Sequence, residues 1–213
     1  MSDGREITVD TSASVETDAD AAELVLAVET VEDTPEADRE TVAAGVKRLD
    51  ETFADLGLDE DRIHTTHFQM REDHRRSGDE ERRFRGSHGF EVELHDLARI
   101  GEVIDATTVG LVGMNQIRFT LRRETRETMR EEALRRSVAS ARSDARVLAE
   151  SADLTLGGIL ALSTASGDLR PYQVSGRDVV LDTAKDESER TRVESGPVTV
   201  SAHVTAVFDS AGP

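Results

Sequence analysis

Six histidines are the side chains of this chain best suited to metal binding or acid–base chemistry. Only His64 and His67 lie close together, in the segment His64-Thr65-Thr66-His67. The surrounding pattern is typical of a strand, in which residues three apart point to opposite faces. The two rings therefore cannot meet at one metal ion unless a bulge intervenes. We expect structural histidines and no metal site.

Serine and glycine motifs give no stronger signal of catalysis or cofactor binding. The segment Gly86-Ser87-His88-Gly89 lacks the small-residue elbow that exposes a serine nucleophile above a sheet. Gly157-Gly158 is not followed by the Lys and Ser/Thr of a phosphate loop, and Gly101, Gly110 and Gly113 do not form a dinucleotide fingerprint. We therefore predict no catalytic residue and no cofactor.

Arginines cluster in residues 71–85 and 118–136, but acidic residues accompany them in both stretches. Glu131 and Arg135, like Glu132 and Arg136, have the spacing of helical ion pairs. Single-strand binding also needs stacking aromatics, whereas Tyr172 is the only tyrosine of a chain without tryptophan. The net charge of −18 repels nucleic acids and anionic membrane surfaces. We expect neither as a partner.

The elements that would position these residues follow from hydrophobic periodicity. Apolar and polar residues alternate, or apolar residues run together, in segments typical of strands. The predicted strands span residues 7–15, 24–28, 63–70, 90–94, 117–121, 159–163 and 198–208. The last is the clearest, with Val198, Val200, Ala202, Val204, Ala206 and Phe208 on one face.

Three amphipathic helices are predicted between these strands. The first begins after Thr34-Pro35 and ends at Gly57, and the second begins at Asp96 and ends near Gly110. The third spans about residues 124–152, with an expected inward stripe of Leu134, Val138, Ala141, Ala145, Leu148 and Ala152.

This order of elements predicts an α+β fold: a mixed or mostly antiparallel sheet with about three helices packed on it. We expect a single domain over residues 1–213, with mobile loops near residues 71–85 and 164–196.

The composition is typical of a protein adapted to molar salt. There are 44 acidic and 26 basic residues, and only Lys47 and Lys185 are lysines. At about 1 M salt the Debye length is roughly 3 Å, so the repulsion among these acids is largely screened. The chain has no cysteine, which excludes disulfides and thiolate sites. A mean hydropathy of −0.46 and the lack of a leader pattern favour the cytoplasm.

Four segments in order resemble the SIMPL-domain family, a widespread group of uncharacterised function. They are residues 54–58 with 62–65; Val103-Ile104-Asp105-Ala106 with residues 113–117; the helical stretch from Ala133 to Ala149; and residues 195–202. The N-terminal strand departs from the family pattern, with Thr11-Ser12-Ala13 and Ala19-Asp20 where the family usually has a glycine and a Pro-Asp turn. The resemblance implies a compact α+β fold and a tendency to associate. Envelope or stress roles have been proposed for members with signal peptides, and no catalytic residues transfer.

We therefore expect a non-enzymatic, self-associating interaction or scaffold protein with an unknown protein partner. Homo-oligomerisation is predicted through the edges of the first and last strands, residues 7–15 and 198–208, which contain no internal proline or lysine. The alternative is an enzyme or a small-ligand binder with a cleft beside residues 164–196. There Arg170, Tyr172 and Arg177 would meet an anionic ligand.

Overall fold

The computed structural model describes residues 5–72, 83–108, 110–165, 168–175 and 193–212. These residues form three α-helices and two antiparallel sheets, which confirms the α+β class. In chain order the elements are β1 (Arg5–Asp18), β2 (Ala21–Glu32), α1 (Pro35–Asp55), β3 (Ile63–Glu72), β4 (Phe84–Leu94), α2 (Ile100–Thr107), β5 (Val112–Thr120), α3 (Arg123–Ser151), β6 (Thr155–Thr164), β7 (Asp168–Arg170), β8 (Tyr172–Ser175) and β9 (Pro197–Ala211).

The chain divides into two compact units. Unit 1 comprises residues 1–18, 121–171 and 197–213, and unit 2 comprises residues 19–120 and 172–196. The first therefore contains β1, α3, β6, β7 and β9, and the second contains the remaining elements. The chain passes from unit 1 to unit 2 twice and returns twice, because unit 1 contains both ends of the chain and a middle segment.

The sheet of unit 1 is organised around β9. This strand pairs antiparallel with β1 from residue 197 to residue 210, and its other side pairs with β6 and β7. Val204 and Phe208 are buried and His203 is exposed, which confirms the predicted inward face. The prediction that β9 is a sheet edge is wrong, since it lies between β1 and β6. Periodicity reports which face of a strand is buried, not how many neighbours it has.

Helix α3 packs on this sheet through a stripe of small side chains. The buried residues are Ala133, Ser137, Ala141, Ala145 and Ala149, each four positions after the last. The expectation that Leu148 and Ala152 point inward is wrong, because Leu148 is 48% exposed and Ala152 lies beyond the helix. Small residues let the helix axis approach the strands closely.

Two buried hydrogen bonds fix α3 on β1 and β9. The Thr11 hydroxyl donates to the carbonyl oxygen of Ser137 at 2.9 Å. The Ser137 hydroxyl donates to the carbonyl oxygen of Ala202, also at 2.9 Å. Each bond satisfies a polar group that would otherwise be costly to bury.

Unit 2 has a five-stranded sheet in the order β3-β4-β2-β5-β8. Alternate residues of its strands face α1 and α2 and form one apolar core, in which the rings of Phe53 and Phe90 meet edge to face at 6.5 Å. The largest fully buried side chains of this core are Phe53, Phe119, Leu24, Leu26, Leu49, Ile100, Ile104 and Ile117.

The ends of α1 are those that the sequence predicts. The Thr34 hydroxyl accepts a hydrogen bond from the Ala37 amide at 3.2 Å, and Pro35 occupies the first turn. Gly57 adopts a φ of +63° just after the helix, a conformation that disfavours side chains. No helix in the described part of the chain is long and apolar enough to cross a membrane.

Strands extend into both of the segments predicted as mobile loops. Residues 71 and 72 belong to β3 and residues 84 and 85 to β4, because the ladder continues through the pairs Arg71↔Arg85 and Glu72↔Phe84. Between residues 164 and 196, the structure shows the end of β6 and the short strands β7 and β8. Residues 73–82, 166–167 and 176–192 of the two predicted loops lie outside the described residues.

The first turn of α1 carries a buried carboxylate. Asp38 is fully buried, and its Oδ1 accepts a hydrogen bond from the Thr30 hydroxyl at 2.5 Å. Gly86 of β4 leaves room for this pair. A Cβ at position 86 would lie 2.5 Å from Asp38 Oδ2 and 2.6 Å from Val42 Cγ2.

We therefore expect Gly86→Ala to lower the free energy of unfolding by about 1–3 kcal/mol, the usual cost of overpacking. The matched control is Gly113→Ala in β5, where a Cβ would meet nothing within 4 Å. Denaturant unfolding in molar KCl measures both variants. Equal stabilities of the two variants would contradict the packing described here.

Candidate functional site

A groove of about 410 Å³ runs between α1 and the β3–β4 hairpin of unit 2. The helix contributes Val42, Ala43 and Val46, and the strands contribute Phe68 and His88. Arg39, Lys47 and Asp50 complete the lining. Positions 39, 43, 46 and 50 step by 4, 3 and 4, so they form one flank of α1 beside its buried stripe.

The aromatic side of the groove is built on the strands. His88 stacks on Phe90, with ring centroids 4.5 Å apart and planes at 17°. Phe68 meets His88 edge to face at 5.7 Å. Phe68 is 57% exposed. This surface is apolar and open to solvent.

The charged residues of the groove have few partners. Lys47 lies 3.9 Å from Glu51 in an exposed pair. Arg39 makes no ion pair or hydrogen bond with any residue in the described ranges. A free guanidinium is notable here, because the chain has a large excess of acids.

Burial lowers the pKa of His88 below its ordinary value of 6.5, and the nearby charge of His67 lowers it further. Asp50 acts in the opposite direction. The imidazole is therefore neutral at neutral pH and offers a hydrogen-bonding group rather than a charge. Its Nε2 lies 3.5 Å from the Thr65 hydroxyl.

The two close histidines do not point to opposite faces, contrary to expectation. The ladder between β3 and β4 shifts between Thr65 and His67, so that Thr66 is an extra residue of β3. His64 then pairs with Glu91 and His67 with Gly89, which places both rings on the same face. No group of three or more metal-ligating side chains occurs among the described residues.

His67 has a local packing role. Its Nε2 lies 3.1 Å from the Ser87 hydroxyl and its Nδ1 lies 3.2 Å from the Thr66 hydroxyl. A Cβ at position 89 would overlap the ring, so Gly89 makes room for it.

A Ser–His pair of this kind also needs donors for an oxyanion and a site for substrate. Ser87 and His67 instead lie on an exposed strand surface, and the groove is on the opposite face of β4.

The residues predicted for an anionic ligand are placed as follows. Arg170 lies on β7 in unit 1, Tyr172 lies on β8 in unit 2, and Arg177 is outside the described residues. The Tyr172 ring packs at 6.2 Å from Phe119, and Gly196 leaves room for that ring. Tyr172 thus has a packing role in unit 2.

The groove itself was not predicted from the sequence. Phe68 in the polar segment His64-Thr65-Thr66-His67-Phe68 was the available signal, because an isolated aromatic in such a strand has no apolar face to join. The helix flank at positions 39, 43, 46 and 50 gives a weaker hydrophobic pattern in the sequence than the adjacent buried stripe of α1.

Residues 7–208 match the model of the SIMPL family, described as a protein of unknown function (DUF541). The chain belongs to the SIMPL family. A search among curated proteins finds no match. The SIMPL assignment covers both units and supports the resemblance found in the four sequence segments.

We expect the contribution of His88 to the stability of this SIMPL chain to fall as the pH decreases from 7 through 6.5 and on to the lowered pKa of His88. The unfolded state binds the proton more readily than the folded state in this window, so protonation favours unfolding. The difference in unfolding free energy between the wild type and His88→Gln should shrink as the pH falls through that window. A difference independent of pH between 7 and 5 would contradict the assignment.

Proposed function

We propose that this SIMPL-family chain is a non-enzymatic, self-associating interaction protein adapted to high salt, and that its copies pair through β6. The proposal rests on the amino-acid composition of this strand. None of the ten residues of β6 is charged, although one third of the chain is charged.

Strand β6 is an uncharged edge of its sheet. Among the described strands it pairs only with β9. Leu160 is 56% exposed and Leu162 is 51% exposed. Natural edge strands are usually protected by charge, proline or bulges. β6 contains no charged residue and no proline, and its register against β9 shifts twice, between Leu156 and Ile159 and between Ile159 and Ala161. Such a strand is a template for pairing with another chain.

The opposite edge of the same sheet is protected. Strand β1 pairs only with β9 among the described strands. Its exposed charged residues are Arg5, Glu6, Asp10, Glu16 and Asp18. A second copy approaching β1 would bring these charges close to its own, so self-pairing there is unfavourable.

A neutral strand is also what self-association of this chain requires. Two copies, each of net charge −18, repel one another unless the contact surfaces are neutral and the rest is screened. Antiparallel pairing of β6 with its own copy gives a two-fold interface in which each leucine side chain faces an uncharged strand.

Helix α3 extends the apolar surface of unit 1. Val147 is 58% exposed and Leu148 is 48% exposed, both in the last turns of the helix. Only residues 152–154 separate α3 from β6, so the end of the helix and the start of the strand adjoin. Burial of these side chains against a partner would add to the backbone pairing.

We expect the double variant Leu160→Lys, Leu162→Lys to be monomeric. Lysines on an edge strand oppose pairing, and both positions are exposed, so the fold of unit 1 should persist. Light scattering in molar KCl at tens of micromolar protein should report a multiple of 23.3 kDa for the wild type and 23.3 kDa for the variant.

The matched control is Thr8→Lys, Ser12→Lys, which places two lysines at exposed positions of β1. The control should associate like the wild type. A monomeric wild type, or a control that dissociates while the β6 variant does not, would refute pairing through β6. Circular dichroism verifies that all three proteins are folded.

Adaptation to salt predicts that the free energy of unfolding rises from low to molar KCl. Screening reduces the repulsion among the acids, and high salt strengthens the burial of apolar surface. Thermal unfolding across a KCl series at constant protein concentration measures this effect. A melting temperature independent of KCl would argue against salt adaptation.

A further inference from the structure

We infer that the groove between α1, β3 and β4 binds a small amphipathic carboxylate, with its aliphatic or aromatic body on the apolar floor and its carboxylate at Arg39. This site lies in unit 2, whereas the proposed self-association uses β6 in unit 1. Either proposal can therefore fail without the other.

The size and lining of the groove suit the body of such a ligand. A volume of about 410 Å³ is in the range of small-molecule sites. Val42, Ala43 and Val46 form the helical wall, and Phe68 forms part of the other. Phe68 exposes more than half of its surface, so a bound apolar body would remove that surface from water.

The charge of the groove selects an anion. Arg39 is exposed, lines the groove and has no ionic partner among the described residues. Lys47 lies two turns further along the same helix and makes only a long exposed contact with Glu51. A guanidinium binds a carboxylate through two parallel N–H···O bonds. Asp50, towards the other end, disfavours a second negative group, so a monoanion with an apolar tail fits best.

His88 gives the site a hydrogen-bonding group between these ends. Its ring is held by stacking on Phe90 and by the edge contact with Phe68. The groups that act on its titration are His67, which disfavours the charged form, and Asp50, which favours it. A carboxylate bound in the groove adds a further negative charge, so binding should raise the pKa of His88.

The probe for this site is 8-anilinonaphthalene-1-sulfonate, an aromatic monoanion that fluoresces in apolar surroundings. N-phenyl-1-naphthylamine has the same rings without the charge and is the matched neutral probe. In molar KCl we expect saturable binding of the anion, weaker binding of the neutral probe, and displacement of the anion by decanoate. These measurements are made first on a monodisperse sample of the wild-type protein.

Arg39→Gln should weaken the binding of the anionic probe about fivefold, the loss of one charge-assisted contact at an exposed site. It should leave the neutral probe unaffected. The matched control is Arg48→Gln, on the same helix but outside the groove lining. Phe68→Ala should weaken both probes, because it removes part of the apolar wall.

A second readout is the NMR titration of the His88 imidazole. Saturating decanoate should move its midpoint to higher pH in the wild type and less so in Arg39→Gln. Equal affinities of Arg39→Gln and Arg48→Gln for the anionic probe, or no displacement by decanoate, would overturn the proposal. Displacement only by an extended acidic peptide would also overturn it, and would assign the groove to a protein partner.

Discussion

The pairing of β1 with β9 is the interaction on which the rest of unit 1 depends. It joins residues 5–18 to residues 197–210 over the whole length of β1. Because β9 pairs on both sides, it takes the centre of the sheet, and its inward residues pack against α3. The same arrangement leaves β6 at the edge. The interaction surface proposed for β6 thus follows from the position of β9.

In the proposed account, charge decides which surfaces of the chain can contact a partner. The acids cover helix faces and the β1 edge, where they are exposed or paired with arginine, as in Glu132 with Arg136. Such exposed pairs contribute little to stability. At low salt, where the repulsion among the acids is poorly screened, they oppose contact with another acidic surface. Among the residues that the structure describes, the uncharged strand β6 and the groove with its free Arg39 depart from this pattern.

The two surfaces differ in what they can recognise. An open strand edge offers backbone hydrogen bonds to any extended chain, and specificity comes from the side chains on either side of it. The groove offers an apolar floor with one cation and one neutral imidazole, which selects by shape and charge. A SIMPL domain with both could associate with itself and respond to a small molecule independently, because the surfaces lie in different units.

Local features of the fold could be predicted from the sequence. Thr34-Pro35 and Gly57 define α1, and the alternation from Val198 to Phe208 defines the inward face of β9, because both signals depend on neighbouring residues. The neighbours of a strand are not encoded locally. The sequence therefore did not distinguish a central β9 from an edge, or two sheets from one.

The candidate sites were missed for the same reason. The extra residue Thr66 moves the His67 side chain to the other face of β3, and no local sequence pattern indicates that bulge. The groove needs α1 to lie beside Phe68 and His88, and its lining residues are separated by up to 49 positions in the chain, from Arg39 to His88. Arg170 and Tyr172 are near in sequence, yet Pro171 marks the boundary between the two units. Spacing alone could not show this division.

The most direct test of pairing through β6 is the backbone hydrogen exchange of residues 159–164 at low and high protein concentration in molar KCl. The account predicts that exchange in β6 slows as concentration rises, because outward amides become hydrogen-bonded to a second copy, while exchange in β1 does not change. Exchange in β6 that is independent of concentration under conditions where the protein associates would contradict the account.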